Sequence, residues 1–438
     1  MNAKMKLNIT GPVSPAMPRL GKGTECIKLL LSQASADMHE PLVPILFPAL
    51  AAHVSEAEFQ YPDLTWKELC GMMGNLVADS GCNKGQLSNI VEAIMRSFRT
   101  HDDAEQAKLV EWQRQMKTRG ANREKPVRPE VGFWYPPSDV TNAAFLQNAM
   151  ALEKLGGRTQ FINMPEVDMA DKMCGGHKQV SQMLRNIYDR QRAGALRATA
   201  DGVTGNPTLR TNVTISSTPY ATRKFYKNDL FNGTFGRMVF SFKPRDDRDG
   251  RIPRQGTYSD EFYGELDSYL LRLSVCKGRF TIAPLNRLVD RLAEDMASLA
   301  DMTDDNVLWD ASKRAIVSAW KAGCVLWILN NQTWNKSIGD LVEWLVYHDL
   351  WSKMRIFADM LKLEMGSLNE VGRGGPKNML EDLPDTFSEQ QLEALRIEAG
   401  RSASGTKNQL YKWVFRKFVT YSEETKLYTK TEKYKNAG

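Results

Sequence analysis

Short strand-like runs that alternate with helical periods decide the architecture of this chain. The runs are CGMMGNLV at 70–77, GFWY at 132–135, QFINM at 160–164, NVTISS at 212–217 and RMVFSF at 237–242. Each is bounded by turn-forming or charged residues and is too short for a buried helix. Between them lie segments with helical spacing, such as Leu87, Ile90, Val91, Ile94 and Met95 after the first run. Strands that alternate with helices are joined by crossovers, so the expected fold is α/β with many parallel strands.

Around these runs the chain divides into stretches of different character. Residues 1–24 are rich in Gly, Pro and Met and are expected to form an arm or linker. GKGT at 21–24 lacks a preceding apolar strand and reads as a loop feeding a helix. Residues 25–60 are expected to be helical and mostly buried, with Pro41, Pro44 and Pro48 starting or bending the helices. Residues 102–128 read as an exposed charged helix ending in RGANREKPVR. A further helix should start near Ser138 or Thr141 and end at Gly156-Gly157. MLRNIYDR predicts another, followed by the turn-rich ATADGVTGNPTLR. Residues 260–365 read as mainly helical, and GRGGPK at 372–377 separates a last small unit. The expected domains are an α/β core over 25–258, a helical domain over 259–370 and a small domain over 380–435.

Composition excludes some settings. Of 438 residues, 42% are hydrophobic and 25% charged, as in ordinary globular chains, and no run of eighteen apolar residues suits a membrane span. The start, MNAKMKLNIT, has no apolar signal core. Six cysteines at 26, 70, 82, 174, 276 and 324 form no CxxC pair, which argues against a zinc ribbon or a disulfide framework. The expected setting is a reducing cytoplasm without a membrane partner.

The charge is concentrated at one end. Residues 401–438 hold nine Lys or Arg and three Glu, a balance of +6, which equals the net charge of the whole chain. A basic patch of this kind meets a polyanion or is a solvated tail. Tyr411, Trp413, Phe415, Phe418, Tyr421 and Tyr428 argue for a packed element. FSEQQLEAL with Ser388 as cap predicts one helix, SGTKNQLYKWVFRKFV a second, and YSEETKLYTKT two short strands. Helix, turn, helix and β-ribbon is the pattern of a winged helix. Lys407, Lys412, Arg416 and Lys417 would lie on or near its DNA-facing helix, with Lys426 and Lys430 on the ribbon. A winged helix used only for protein contacts is the alternative.

The strongest chemical signal is ADSGCNKG at 78–85, between a strand and a helix. A phosphate loop belongs there: backbone N–H groups wrap the phosphates, a Lys reaches the terminal ones, and a hydroxyl binds magnesium. Against G-x-x-x-x-G-K-[ST], Ala78 and Asn83 replace the glycines, Lys84 is present and Gly85 replaces the hydroxyl. The binding residues would be Gly81, Cys82, Asn83, Lys84, Gly85 and Gln86. Asn83 tolerates a left-handed backbone, so the loop's geometry can survive the change. A helix-capping turn with an exposed lysine is the bland alternative.

FINMPEVD at 161–168 ends an apolar strand in acids, as a magnesium-and-water site requires. Glu166 would polarise the attacking water and Asp168 would hold the metal, although Pro165 stands where an acid is expected. Ser217 and Thr218 end the next strand, placed to sense a terminal phosphate. Arg237 at the start of the strand after it, or Arg223, could serve as an arginine finger across a subunit boundary. The five histidines are dispersed and match no metal-site spacing.

In order, ADSGCNKGQ, PPSDVTNAAFLQNAMALEKLGGRTQFINMPEVD, LRNIYDRQRAG and ISSTPYATRKFYKNDLFNGTFGRMVFSF resemble the primase-helicase-like P-loop family of bacterial mobile elements, over about residues 40–245. The resemblance implies a RecA- or AAA-like ATPase core using ATP and Mg2+, acting on DNA in replication or mobilisation of an element, as a homo-oligomer for which a ring is one expected form. It implies Lys84 as phosphate-loop lysine, Glu166 and Asp168 as the acidic motif, Thr218 as sensor and Arg237 as finger. Ala78, Asn83, Gly85 and Pro165 depart from the active pattern, which bears on hydrolysis more than on binding. A degenerate P-loop protein acting as a DNA-binding scaffold or a nucleotide-gated assembly is the other expectation.

Overall fold

The computed structural model describes residues 13–118, 124–174, 177–194, 204–227, 230, 233–245, 255–303, 306–367 and 378–435. Most of the N-terminal arm, part of the basic segment after 118, part of the turn-rich stretch after 194 and the GRGGPK segment lie outside the described residues. The chain divides into two compact units. One holds Arg19–Ala283 and Lys321–Ile338; the other holds Met1–Pro18, Pro284–Trp320 and Gly339–Gly438.

The first unit begins with α1 (Glu25–Leu31), α2 (His39–Ala52), β1 (Glu56–Gln60), β2 (Trp66–Glu68) and β3 (Met73–Ala78). Next come α3 (Gly85–Ile94), α4 (Arg96–Thr118), α5 (Asn142–Lys154), β4 (Gln160–Met164), α6 (Met169–Cys174) and α7 (His177–Tyr188). It continues with β5 (Thr211–Ser217), α8 (Pro219–Tyr226), α9 (Thr234–Arg237), β6 (Val239–Lys243), α10 (Asp260–Ser274) and β7 (Lys277–Phe280).

Four of these strands form a parallel sheet in the order β4-β5-β3-β6. Every residue of β3, β4 and β5 is buried. Strands covered on both faces favour apolar runs; β3 comes nearest to one, whereas β5 buries Thr211, Asn212, Thr214, Ser216 and Ser217 beside Val213 and Ile215. The expected α/β architecture with a parallel sheet is therefore present.

α2 packs on β3, β5 and β6. It is buried at every position from Pro41 to Ala52, as expected of a helix apolar on all sides, and Pro44 and Pro48 lie inside it. A Cβ at Gly74 would come within 3.0 Å of Ile45 Cδ1, so glycine on β3 permits the close approach of α2. Asn212 joins the start of the sheet. Its Nδ2 donates to the Pro48 and Leu69 carbonyls, 3.0 and 3.2 Å away, and its Oδ1 accepts from the Met72 N–H at 2.9 Å.

Three expectations need correction. Residues 56–60, expected to be helical, form β1, which pairs antiparallel with β2 and parallel with β7. Ala57 and Phe59 point inward with a period of two, and Phe59 stacks on Phe280 at 5.6 Å. GFWY at 132–135 is not a strand. The Trp134 and Tyr135 N–H groups donate to the buried Asp102 carboxylate at 2.8 and 2.7 Å, so a side chain takes the place of a ladder. Arg237 closes the short α9 rather than starting a strand, and β6 begins at Val239.

The α5 boundaries follow the capping chemistry. Thr141 accepts from the Ala144 N–H, and Gly156 and Gly157 beyond the end take φ of 107° and 77°.

The second unit contains most of α11 (Ala283–Thr303), α12 (Asn306–Leu329) and α13 (Lys336–Ser367). It continues with α14 (Met379–Asp382), β8 (Thr386–Phe387), α15 (Glu389–Glu398), α16 (Thr406–Phe415), β9 (Val419–Ser422), β10 (Leu427–Lys430) and α17 (Glu432–Lys435). The last strands form an antiparallel sheet in the order β8-β10-β9. Phe387, Leu392, Leu410, Trp413, Phe418 and Val419 share one core with Met302 of α11. Trp413 Nε1 donates to the Met302 carbonyl at 3.1 Å, which satisfies the indole where it is buried. Among the described residues no helix is long and apolar enough to cross a membrane.

Candidate functional site

The segment between β3 and α3 is built by a strand end, two left-handed residues and a helix start. Gly81 has φ 84° and Asn83 has φ 55°, so the backbone reverses twice before α3. Asparagine is one of the few residues that adopt the second conformation at small cost, as anticipated. The Cys82 N–H donates to the Asp79 carbonyl, the Gln86 N–H to Asn83 and the Leu87 N–H to Lys84. Among the described residues, the N–H groups of Gly81, Asn83, Lys84 and Gly85 have no acceptor. Among the described residues, a Cβ built at Gly81 or Gly85 meets nothing within 4 Å, so the space beside these two positions is open. Free N–H groups at left-handed Asn83 and right-handed Lys84, before a ten-residue helix, have the geometry that suits an anion.

The Lys84 side chain folds into this loop. Its Nζ donates to the Ala78 and Asp79 carbonyls, both at 2.9 Å. An ammonium has three donors, so one remains for a ligand. Gln86 is placed differently from its neighbours. It is buried, its Oε1 accepts from the Ser35 N–H and its Nε2 donates to Ser35 Oγ, both at 2.8 Å. It pins α3 to the segment before α2 and does not face the opening.

The strand register sets the other residues around this loop. Val77 of β3 pairs with Ser217 of β5, and Met164 of β4 pairs with Ile215. The strands run parallel, so Ala78, Thr218 and the residues after Met164 emerge on one sheet edge. Chain connections leave β3 toward β4 and leave β5 toward β6, in opposite directions across the sheet. Ligands of open parallel sheets bind beyond the carboxyl ends of strands at such a reversal. Glu166 and Asp168 are exposed just past β4. Thr218 caps α8, with its hydroxyl accepting from the Ala221 N–H at 3.2 Å. Ser217 is buried and donates to Asn75 Oδ1 at 2.8 Å, so it braces the sheet rather than the opening. Arg223 lies exposed on α8.

Arg237 is not on this edge. It precedes β6, whose Val239 pairs with Gly74, whereas Ala78 pairs with Lys243 at the other end. At about 3.3 Å per residue, Arg237 lies roughly 15 Å or more along the strand direction from its own loop. Its guanidinium is paired with Asp189 at 2.7 Å and lies over the Tyr188 ring.

Lys243 is a residue that sequence reasoning missed. It is buried beside Ala78 on the loop's edge and pairs with Asp37 at 3.0 Å. Partial burial pushes the Asp37 carboxyl up, but hydrogen bonds from Ser35 and Lys243 outweigh this and leave it below its ordinary value. The signal was the lysine closing the apolar run of FSFK.

The residues fit a triphosphate better than its metal. Open N–H groups and a lysine suit phosphate oxygens, whereas the hydroxyl position is Gly85 and the strand-end acid position is Pro165. Asp168 is the carboxylate left to hold magnesium, which binds through one or two carboxylates plus substrate phosphates.

The predicted basic residues of the second unit fall into two groups. Lys412 Nζ lies 3.5 Å from Asp301, while Arg416 reaches Asp301 at 2.9 Å and Glu294 at 2.5 Å. Lys430 Nζ donates to the Leu383 carbonyl at 2.6 Å. Lys407, Lys417 and Lys426 are exposed, and among the described residues none has an acidic partner.

No protein-family model matches this chain, and no curated protein matches it.

Proposed function

We propose that this chain is an ATP-dependent DNA helicase- or translocase-like protein of a mobile genetic element, with a P-loop core and a C-terminal winged helix. The observation that carries the reading is the shared sheet edge. The open loop with Lys84, the Thr218 cap and the Glu166–Asp168 turn emerge side by side, although they are far apart in sequence. That is where a nucleotide's phosphates and an attacking water would have to meet. The basic C-terminal segment supplies the polyanion contact.

On this reading Lys84 neutralises the terminal phosphates, the free N–H groups of 81–85 wrap them, and Glu166 orients water. Arg237 would act only at a neighbouring subunit's site, because its own loop lies at the other end of the strands. A ring of identical subunits satisfies that requirement.

Gly85, Pro165 and the Arg237–Asp189 pair favour a second reading, in which nucleotide binding gates assembly on DNA without rapid turnover. ATP hydrolysis with and without DNA, beside Lys84→Ala and Glu166→Gln, separates the two. DNA-stimulated turnover lost in both variants supports the motor. No turnover in the parent with DNA binding intact leaves the scaffold.

A further inference from the structure

α16 carries two apolar faces, and among the described residues only one is packed. Thr406, Gln409, Leu410 and Trp413 are buried in the core of the second unit. On the other side, Tyr411 is 71% and Phe415 69% exposed, with Val414 beside them. Lys407, Tyr411 and Phe415 are spaced i, i+4, i+8 and form one row on the helix surface. Successive members lie about 6 Å apart along the axis.

The charges around this row differ from those of a helix made to dock on duplex phosphates. Arg416 and Lys412 are held by Asp301 and Glu294. Lys407, Lys417 and Lys426 remain exposed, and Lys417 and Lys426 have φ of 58° and 56°, which fixes them at turns. The face thus offers two rings and a few separated cations in a segment of balance +6. Duplex readout needs donors and acceptors aimed at base edges, and phosphate clamping needs dense cations. Aromatic rings flanked by cations instead suit unpaired bases, whose faces are accessible and whose backbone is anionic.

We propose that the Lys407–Tyr411–Phe415 face of α16 is a stacking platform for single-stranded DNA. This rests on the DNA-engaging reading above and specifies the form of DNA and the mode of contact. The rings stack on successive bases while Lys407, at the Tyr411 end of the row, meets the phosphate flanking the base on Tyr411.

The test is equilibrium binding of the full chain to labelled oligothymidylate and to a duplex of equal length, over a salt series. The parent should prefer the single strand. Tyr411→Ala and Phe415→Ala should each weaken it about tenfold, with the salt slope unchanged. Lys407→Ala should flatten the slope by about one unit. These side chains are exposed, so thermal melting should not move. If the ring variants bind oligothymidylate as the parent does, the platform is wrong. If duplex is preferred and ring removal has no effect, DNA engagement stands and this inference falls. If the parent binds neither form, both fall. If ring removal abolishes self-association but leaves DNA binding intact, the face belongs to a second copy of the chain and the inference is overturned.

Discussion

Lys84 commits two of its three N–H donors to the carbonyls of Ala78, the last residue of β3, and Asp79, the residue after it, which holds the ammonium inside the loop. A different physical constraint acts on His53. Burial, with Arg158 nearby, holds the imidazole down at about 3, although its contact with the Ile94 carbonyl opposes the shift. Below pH ~6.5 the unfolded chain takes up a proton that the folded chain refuses until about pH 3. Stability is therefore complete above pH ~6.5 and falls on acidification, by up to about 1.4 kcal/mol per pH unit from this group. His53→Gln removes the titration, so the parent's Tm should drop further than the variant's between pH 7 and pH 5. Equal drops would contradict the assignment. At this scale the sequence was legible where a residue type has one backbone use. Asn83 in the left-handed region and Thr141 as a cap were both readable. Gln86 and Lys243 were not, because their partners, Ser35 and Asp37, lie far away in the chain and meet them only after the sheet forms.

The elements divide by how local their causes are. α15 is specified locally: Ser388 Oγ accepts from the Gln391 N–H while the Gln391 side chain accepts from the Ser388 N–H. Ser388→Ala should cost about 1 kcal/mol, seen as a lower urea midpoint with an unchanged slope. A variant as stable as the parent would mean that tertiary packing alone fixes the helix. β4 was also legible as a short, largely apolar run, whereas β5 alternates Val213 and Ile215 with Thr and Ser although it is buried throughout. β1 was not, since its partner β7 lies beyond the whole parallel sheet in sequence. GFWY has strand composition, yet Asp102 takes its N–H groups, and composition carries no trace of that competition. The order β4-β5-β3-β6 was likewise outside the sequence's reach, because strand runs announce themselves but not their neighbours.

For the whole molecule, the position of Arg237 has a consequence for assembly. On the proposed reading, an arginine at the far end of its own strands would complete only a neighbour's site. Lys84→Ala and Arg237→Ala should each be inactive alone, and mixing the two should restore part of the hydrolysis at interfaces that join an intact Lys84 to an intact Arg237. Parent-like turnover by Arg237→Ala would contradict this and leave the largely buried Asp189 pair with a structural role only. All of this depends on the loop between β3 and α3 being a triphosphate site. Calorimetric titration of ATP into the purified chain without DNA, beside Lys84→Ala, tests that most directly. The account predicts one ATP per chain for the parent and at least about tenfold weaker binding for the variant, because a charge-assisted contact to phosphate is lost. Absence of ATP binding by the parent, or equal binding by both, would contradict it.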